Sequence, residues 1–322
     1  MAGRARVLAT RALPGGAFRA LGARVALRVW PGPGGPDAEA LREAARDAEG
    51  LLCTLTDRVD RALLEACPRL RVVSSVSVGL DHVDLREAAA RGIAVGHTPG
   101  VLTETTADLA FALLLAAARR VAEADRFVRA GAWTPARRWE PELLLGRDVH
   151  GATLGVVGLG AIGRAVARRA AGFGMRVLGW SRSAREVPGV TQVPLEALLA
   201  ESDFVTLHVA LAPETRGLLG ADALARMKPG AVLVNTTRGG VVEEAALVDA
   251  LRGGRLAAAG LDVFAEEPLA PESPLLALPN VVLTPHIGSA SEATRARMVD
   301  LAVENLLAGL EGRPLPHAAP PP

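Results

Sequence analysis

At 322 residues the chain is longer than one ordinary core accommodates, so two domains are expected. Half of it is apolar (50%), which is ample for burial and excludes a disordered polymer. Charge is balanced, 36 Lys and Arg against 35 Asp and Glu for a net +1, so the basic field that nucleic-acid binding requires is absent.

The chain opens with Arg4 and Arg6 but without the long apolar stretch that a signal peptide carries. Residues 6–9 and 24–29 read as strands, and the Pro/Gly-rich residues 31–36 form a loop that neither helix nor strand can cross. Asp37 is placed to cap a helix over 38–47. A strand at 50–54, a helix at 60–66 and strands at 71–75 and 93–96 follow, and this alternation implies parallel sheet with right-handed crossovers. Cys53 and Cys67 fit two reduced, buried thiols and no disulfide framework.

After the turn His97-Thr98-Pro99-Gly100, a long helix is expected over 104–130, with Thr105 and Asp108 as a capping box. It contains the longest uncharged apolar run, residues 109–118, about half of a membrane span. Residues 134–152 are irregular, and a second set of βα units runs over 153–285. A last helix at 291–310 precedes a proline-rich tail, 314–322, expected to be disordered. No membrane partner is called for, and a cytoplasmic protein is the expectation.

Within the second set, Gly158-Leu159-Gly160-Ala161-Ile162-Gly163 lies between a buried strand and a helix. In that setting Gly158 permits the tight turn, Gly160 lets backbone approach a pyrophosphate, and Gly163 lets helix and strand pack closely. The free N–H groups and partial positive charge of the helix start then face the phosphates. An NAD site would end the next strand in Asp or Glu. Here Ser181-Arg182-Ser183 stands instead, suited to the 2′-phosphate of NADP(H). NADP(H) is the expected cofactor, with NAD(H) as the alternative.

Three further segments keep an order and spacing that fold alone does not explain. They are Val234-Asn235-Thr236-Thr237-Arg238-Gly239-Gly240-Val241-Val242, Gly260-Leu261-Asp262-Val263-Phe264-Ala265-Glu266-Glu267-Pro268-Leu269 and Thr284-Pro285-His286-Ile287-Gly288-Ser289-Ala290. With Ser77-Val78-Gly79-Leu80-Asp81-His82, they resemble the D-isomer-specific 2-hydroxyacid dehydrogenase family over nearly the whole chain. The stretch from Ser75 to Val83, Trp139-x-Pro141-x-x-x-Leu145-Gly146 and Thr294-Arg295 are most similar to its glyoxylate/hydroxypyruvate reductase branch. The resemblance implies an α/β fold of two doubly wound Rossmann-like domains with the active site between them. The dinucleotide-binding domain (99–286) would be inserted into a discontinuous, flavodoxin-like substrate domain (1–98 and 287–322). It also implies a homodimer whose interface uses the helices after the first crossing. The apolar run 109–118 fits that interface, and fits a monomer core equally.

Reduction of a 2-keto acid needs a fixed carboxylate, a proton for the carbonyl oxygen, and hydride. By resemblance and by chemistry Arg238 clamps the carboxylate and polarises the carbonyl, which a lysine would do less well. His286 is the general acid, and Glu267 bonds its other ring nitrogen. Backbone N–H groups of Val78 and Gly79 would hold the substrate carboxylate, with Ser289 adding a hydroxyl. Asp262 would bond the nicotinamide carboxamide, and Thr236, Thr237, His286 and Gly288 would line that pocket. Thr106, Pro213 and Thr215 fit secondary cofactor contacts. Leu55, and Trp139 from a facing subunit, are placed to limit substrate size, although ordinary packing accounts for both equally. No metal-ligand spacing occurs, and hydride chemistry needs none.

The expected reactions are glyoxylate to glycolate and hydroxypyruvate to D-glycerate. D-lactate or phosphoglycerate dehydrogenase is the alternative inside the family; the chain ends after its last helix, without the regulatory domain of many phosphoglycerate enzymes. A dinucleotide-sensing corepressor is the alternative outside it.

Overall fold

The computed structural model describes residues 3–32, 34–183 and 186–321. It divides into two units, Met1–Leu102 with Ser289–Pro322, and Thr103–Gly288. These boundaries lie a few residues beyond the crossings expected at 98/99 and 286/287. The second is held there because the N–H groups of Ile287 and Gly288 both bond the Asp262 carboxylate of the second unit.

In the first unit the chain runs β1 (Arg6–Ala9), α1 (Gly16–Arg24), β2 (Ala26–Val29), α2 (Ala38–Ala45), β3 (Gly50–Cys53), α3 (Arg61–Ala66), β4 (Val72–Ser75), α4 (Leu85–Ala90) and β5 (Ala94–Gly96). The strands form one parallel sheet in the order β2-β1-β3-β4-β5. Alternate strand residues serve opposite faces. Leu8, Leu51 and Val73 pack under α2, α3 and α4, while Val7, Leu52 and Val72 pack under α1 and the C-terminal helix Glu292–Leu310. Asp37 does cap α2, accepting from Glu39 N and Ala40 N at 3.0 and 2.8 Å. Strand β2 starts later than the sequence suggested because α1 runs on to Arg24. Burial pushes the Cys53 thiol up to about 12, with the Asp57 charge adding to it, so this cysteine is an inert core residue.

The proline-rich tail is ordered over its described residues, 314–321, against expectation. Ala319 N donates to Val95 O at 2.7 Å and His97 N to His317 O at 3.0 Å, an antiparallel bridge along the edge of β5. The buried Asn305 carboxamide joins both chains, donating to His97 O and accepting from His317 N. Edge-strand groups demand partners, and the tail supplies them.

The second unit contains α5 (Thr103–Ala118), α6 (Val121–Arg129), β6 (Thr153–Val157), α7 (Ala161–Ala171), β7 (Arg176–Trp180), β8 (Val190–Gln192), α8 (Leu195–Glu201), β9 (Phe204–Leu207), α9 (Ala221–Arg226), β10 (Ala231–Asn235), α10 (Glu244–Arg252), β11 (Leu256–Leu261) and β12 (Val281–Leu283). Its parallel sheet has the order β12-β11-β10-β9-β6-β7-β8, with the switch in strand order between β9 and β6. Ligands bind outside the carboxyl ends of strands at such a switch.

The single helix expected over 104–130 is two helices. Arg147 N takes the Ala118 carbonyl at 2.8 Å, and Arg120 turns left-handed at φ 52. Its guanidinium then clasps Glu123 on the first turn of α6 at 2.8 and 2.9 Å. The capping box is also corrected: α5 starts at Thr103, and Asp108 instead accepts from Arg169 at 2.8 and 2.6 Å. Ala110, Phe111, Leu113 and Leu114 are buried in this unit's own core, so the apolar run belongs to the monomer. Among the described residues, no helix is long and apolar enough to cross a membrane.

Candidate active site

Three strand ends and one turn bring the candidate residues together in the second unit. At the turn after β6, Gly158 has φ 105, a conformation that disfavours any side chain. A Cβ on Gly163 would overlap the Gly158 carbonyl oxygen, whereas one on Gly160 would meet nothing within 4 Å. The first and third glycines thus serve packing, and the middle one keeps open the space before the N-terminus of α7. Leu159 is buried in the core, Ile162 packs against it, and Ala161 is exposed.

A cavity of about 160 Å³ opens there, lined among others by Gly158, Gly160, Ser181, Arg182, His208 and Thr215. Ser181 Oγ donates to Ser183 O at 2.7 Å, closing the loop, and Arg182 is exposed with Glu214 at 3.9 Å. Such an exposed pair contributes little and leaves the guanidinium available. Thr215 is used within its own loop, donating to Ala210 O at 2.6 Å and accepting from Ala212 N at 2.8 Å. Pro213 is exposed on that loop and is not among the residues lining the cavity.

His208, to which the sequence reading gave no role, also lines the cavity. Its Nε2 lies 2.9 Å from Thr206 Oγ1, and its Nδ1 is buried without a hydrogen-bond partner. Burial pushes its pKa down to about 3, so the ring is neutral at physiological pH.

Beyond β10, Asn235 organises the next turn: its Oδ1 accepts from Thr237 N and Oγ1 at 3.0 and 2.9 Å, and its Nδ2 donates to Arg238 O at 3.0 Å. Gly239 is required because a Cβ would overlap the Phe264 backbone. Arg238, half-buried, donates from Nη1 to Thr237 O at 2.8 Å, and the Thr236 hydroxyl is buried without a hydrogen-bond partner. Unmet buried polar atoms are rare, and a ligand is one way in which they find a partner. His208 Nδ1 and Thr236 Oγ1, with the open side of Gly160, therefore fit a bound dinucleotide.

Asp262, fully buried beyond β11, accepts from Thr284 Oγ1 at 2.6 Å and from Ile287 N and Gly288 N at 2.8 Å each. Burial raises its pKa despite those donors. Thr106 Oγ1 donates to Gly288 O at 3.1 Å, completing the grip on the loop that carries His286. His286 itself has φ 54, and its Nδ1 lies 2.6 Å from Glu267 Oε2. The other carboxylate oxygen, Oε1, accepts from Phe264 N at 3.0 Å. Burial alone would raise Glu267, but the His286 bond and charge, the Phe264 N–H and the Arg238 charge hold it below the ordinary carboxylate range. An ionised carboxylate only accepts, so Nδ1 carries a proton and Nε2 is free to give or take one.

Val78 and Gly79 lie beyond β4 in the first unit, in a turn held through its carbonyls: His97 Nδ1 is 3.0 Å from Val78 O, and Ser77 Oγ donates to Gly79 O at 2.8 Å. Leu55 is half-buried beyond β3, Ser289 begins that unit's second segment, and Trp139 is 79% exposed. Among the described residues no three His, Cys, Asp or Glu side chains cluster as metal ligands.

Fold and site together define a dinucleotide-dependent oxidoreductase. The family model for "D-isomer specific 2-hydroxyacid dehydrogenase, NAD binding domain" matches residues 111–288, and the chain belongs to that family. It is 51% identical over 316 residues to a glyoxylate reductase of Korarchaeum cryptofilum, covering 97% of this chain and 95% of that one. A crystal structure of a Thermus thermophilus protein superposes with a TM-score of 0.92 at 52% identity, covering 98% of this chain and 100% of the other. An NADPH-dependent glyoxylate/hydroxypyruvate reductase of Sinorhizobium meliloti, solved with NADP and malonate, superposes with a TM-score of 0.88 at 37% identity, covering 98% and 97%.

Proposed function

We propose that the protein is a cytoplasmic, homodimeric NADPH-dependent reductase of small 2-keto acids, converting glyoxylate to glycolate and hydroxypyruvate to D-glycerate. The observation that carries the reading is the 2.6 Å pair of His286 and Glu267 on a loop clamped by Asp262. Bound nicotinamide supplies the hydride. Arg238 holds the substrate carboxylate and polarises its carbonyl, with the N–H groups of Val78 and Gly79 and the Ser289 hydroxyl as further donors to the acid. His286 Nε2 gives the proton that the new alkoxide requires, and Glu267 stabilises the imidazolium before transfer. Leu55 bounds the space beside the reacting carbon. Asp262, Thr236, Thr237, Thr106 and Gly288 hold the nicotinamide end, and Ser181, Arg182 and Ser183 receive the 2′-phosphate.

The dimer reading is supported by α6, which has no buried residue, and by exposed Val121, Val128, Trp133, Trp139 and Leu145 in the same region. In this arrangement Trp139 reaches the partner's substrate. Light scattering checks it, with a monomer at micromolar concentration as the refuting result.

Initial rates with glyoxylate, hydroxypyruvate, pyruvate and phosphohydroxypyruvate, each with NADPH and NADH, test the function. Glyoxylate and hydroxypyruvate with NADPH should give the highest kcat/KM, and Arg182→Ala should raise the KM for NADPH by ~10-fold, the scale of a charge-assisted phosphate contact. A clear preference for NADH sinks the cofactor assignment. NADPH binding with no turnover of any acid sinks the enzyme and favours a sensing protein.

A further inference from the structure

Away from the site in the second unit, the first unit buries a carboxylate that the chemistry above does not use. Asp57 is 2% exposed, at the carboxyl ends of β1 and β3 where that sheet's strand order switches. Its Oδ2 accepts three hydrogen bonds: from Thr10 Oγ1 at 2.6 Å, Thr54 N at 2.7 Å and Thr54 Oγ1 at 3.0 Å. Its Oδ1 accepts from Arg11 Nη2 at 3.0 Å. The same Arg11 nitrogen donates to Thr56 Oγ1 at 2.8 Å, and Asp57 N closes the turn on Thr54 O at 3.1 Å. Arg11 Nε stays buried with no hydrogen-bond partner, so Asp57 and Thr56 dictate where the guanidinium lies. Gly35, in the Pro/Gly-rich loop, covers the pair; a Cβ there would overlap Arg11 and crowd Asp57 Oδ1.

The turn 54–57 is thus tied at three of its four residues, and the fourth is Leu55. We propose that Asp57, with Thr10 and Arg11, is a positioning residue that fixes Leu55 and thereby sets the size of 2-keto acid accepted. The inference rests on the reading of the protein as a reductase of small 2-keto acids. Closing a four-residue turn does not require an ion pair, since buried charges cost desolvation and well-packed apolar groups hold loops equally well. What the charge provides is one arrangement: a carboxylate accepting from the residues just beyond two strands and from an arginine admits a single loop geometry, where an apolar cluster tolerates several. A size filter needs that uniqueness, because a side chain that shifts by a methyl's width no longer discriminates by volume.

The test compares kcat and KM for glyoxylate with those for a 2-keto acid bearing a benzyl side chain. Asp57→Asn keeps the shape but leaves one acceptor oxygen and adds donors facing Arg11 and Thr10. It should lower the glyoxylate-to-bulky-acid ratio of kcat/KM by ~10-fold or more, mainly through a higher KM for glyoxylate, with cofactor Kd unchanged. Thr10→Val should shift the ratio by roughly threefold and Thr10→Ser should restore it, on the scale of one buried hydrogen bond. If Asp57→Asn does not fold, the Thr10 pair decides. Active variants with an unchanged ratio, both substrates falling in parallel, overturn the inference alone. A wild-type protein without turnover on any 2-keto acid overturns it together with the reading beneath it.

Discussion

Replacing Glu267 by Gln removes one charge at the proposed catalytic pair and little else. The carboxylate is held from two sides, by Phe264 N at 3.0 Å and by His286 Nδ1 at 2.6 Å, and Arg238 contributes charge nearby. Glutamine retains the length and can still accept from Phe264 N, so the loop should survive. What disappears is a short charge-assisted bond worth about 1.5–3 kcal/mol. Its effect falls on the proton donor, which is no longer held charged and aimed before transfer, and at 1.36 kcal/mol per decade the loss converts to a ~10- to 10²-fold fall in kcat. KM for the keto acid should move by less than about threefold, because a bond that touches no substrate alters kcat without altering ground-state binding. The assay is steady-state oxidation of reduced nicotinamide with saturating glyoxylate, beside a thermal melt to show that the variant is folded. A folded variant with kcat within about threefold of wild type would refute the pairing, since general acid–base catalysis at this scale cannot lose its orienting charge unnoticed.

The glycine turn separates stability from binding. Gly163→Ala forces a Cβ onto the Gly158 carbonyl and should destabilise by about 3 kcal/mol, the upper range for overpacking. Gly160→Ala meets nothing within 4 Å and should lose no more than ~1 kcal/mol, the helix-cap scale, while weakening dinucleotide binding. Equal melting temperatures for the two variants would contradict that division. His208 predicts acid lability: the unfolded ring takes up its proton near 6.5 and the folded one only near about 3, so between those values the unfolded state binds more protons and stability falls as pH falls. From pH 6.5 to 5 the loss is about 1.6 kcal/mol by linkage, and denaturant titrations of wild type and His208→Gln at both values should show the variant with the flatter slope. Parallel slopes would remove His208 as the cause.

The turn, the strand grammar and the Asp37 cap were legible because each depends on residues adjacent in sequence. The break between α5 and α6 was not: Ala118 and Arg120 look helical until Arg147, from beyond an irregular segment, takes the carbonyl that would continue the helix. The tail misled for the related reason that proline-rich composition reports a lack of internal partners and says nothing of external ones. Val95, His97 and Asn305 provide those partners from elements distant in sequence. At the candidate site, the contact between Glu267 and His286, with the Arg238 charge nearby, was readable from their motifs. Asn235, His208 and Phe264 N–H were not, because their work is to hold or face other groups. A buried asparagine at the end of an apolar strand, and a histidine just beyond another, were the signals on offer.

Those supporting residues also explain how loops can hold the proposed catalytic geometry, which loops usually hold poorly. The backbone ladder of the second sheet does not stop where its strands stop. Thr284 N donates to Leu261 O, Asp262 N to Asn235 O and His286 N to Asp262 O, each at 2.9 Å, so β10, β11 and β12 remain paired into the segments that carry the chemistry. Asn235 then fixes the turn before Arg238, and Asp262 fixes the two peptides after His286, each through a buried side chain bonded to nearby backbone. Arg238 and His286 are therefore set by the sheet and by one buried polar residue apiece, and only Glu267 comes from a longer excursion, which the Phe264 N–H anchors. A site built this way is ordered before substrate arrives, so binding energy need not be spent on assembling it.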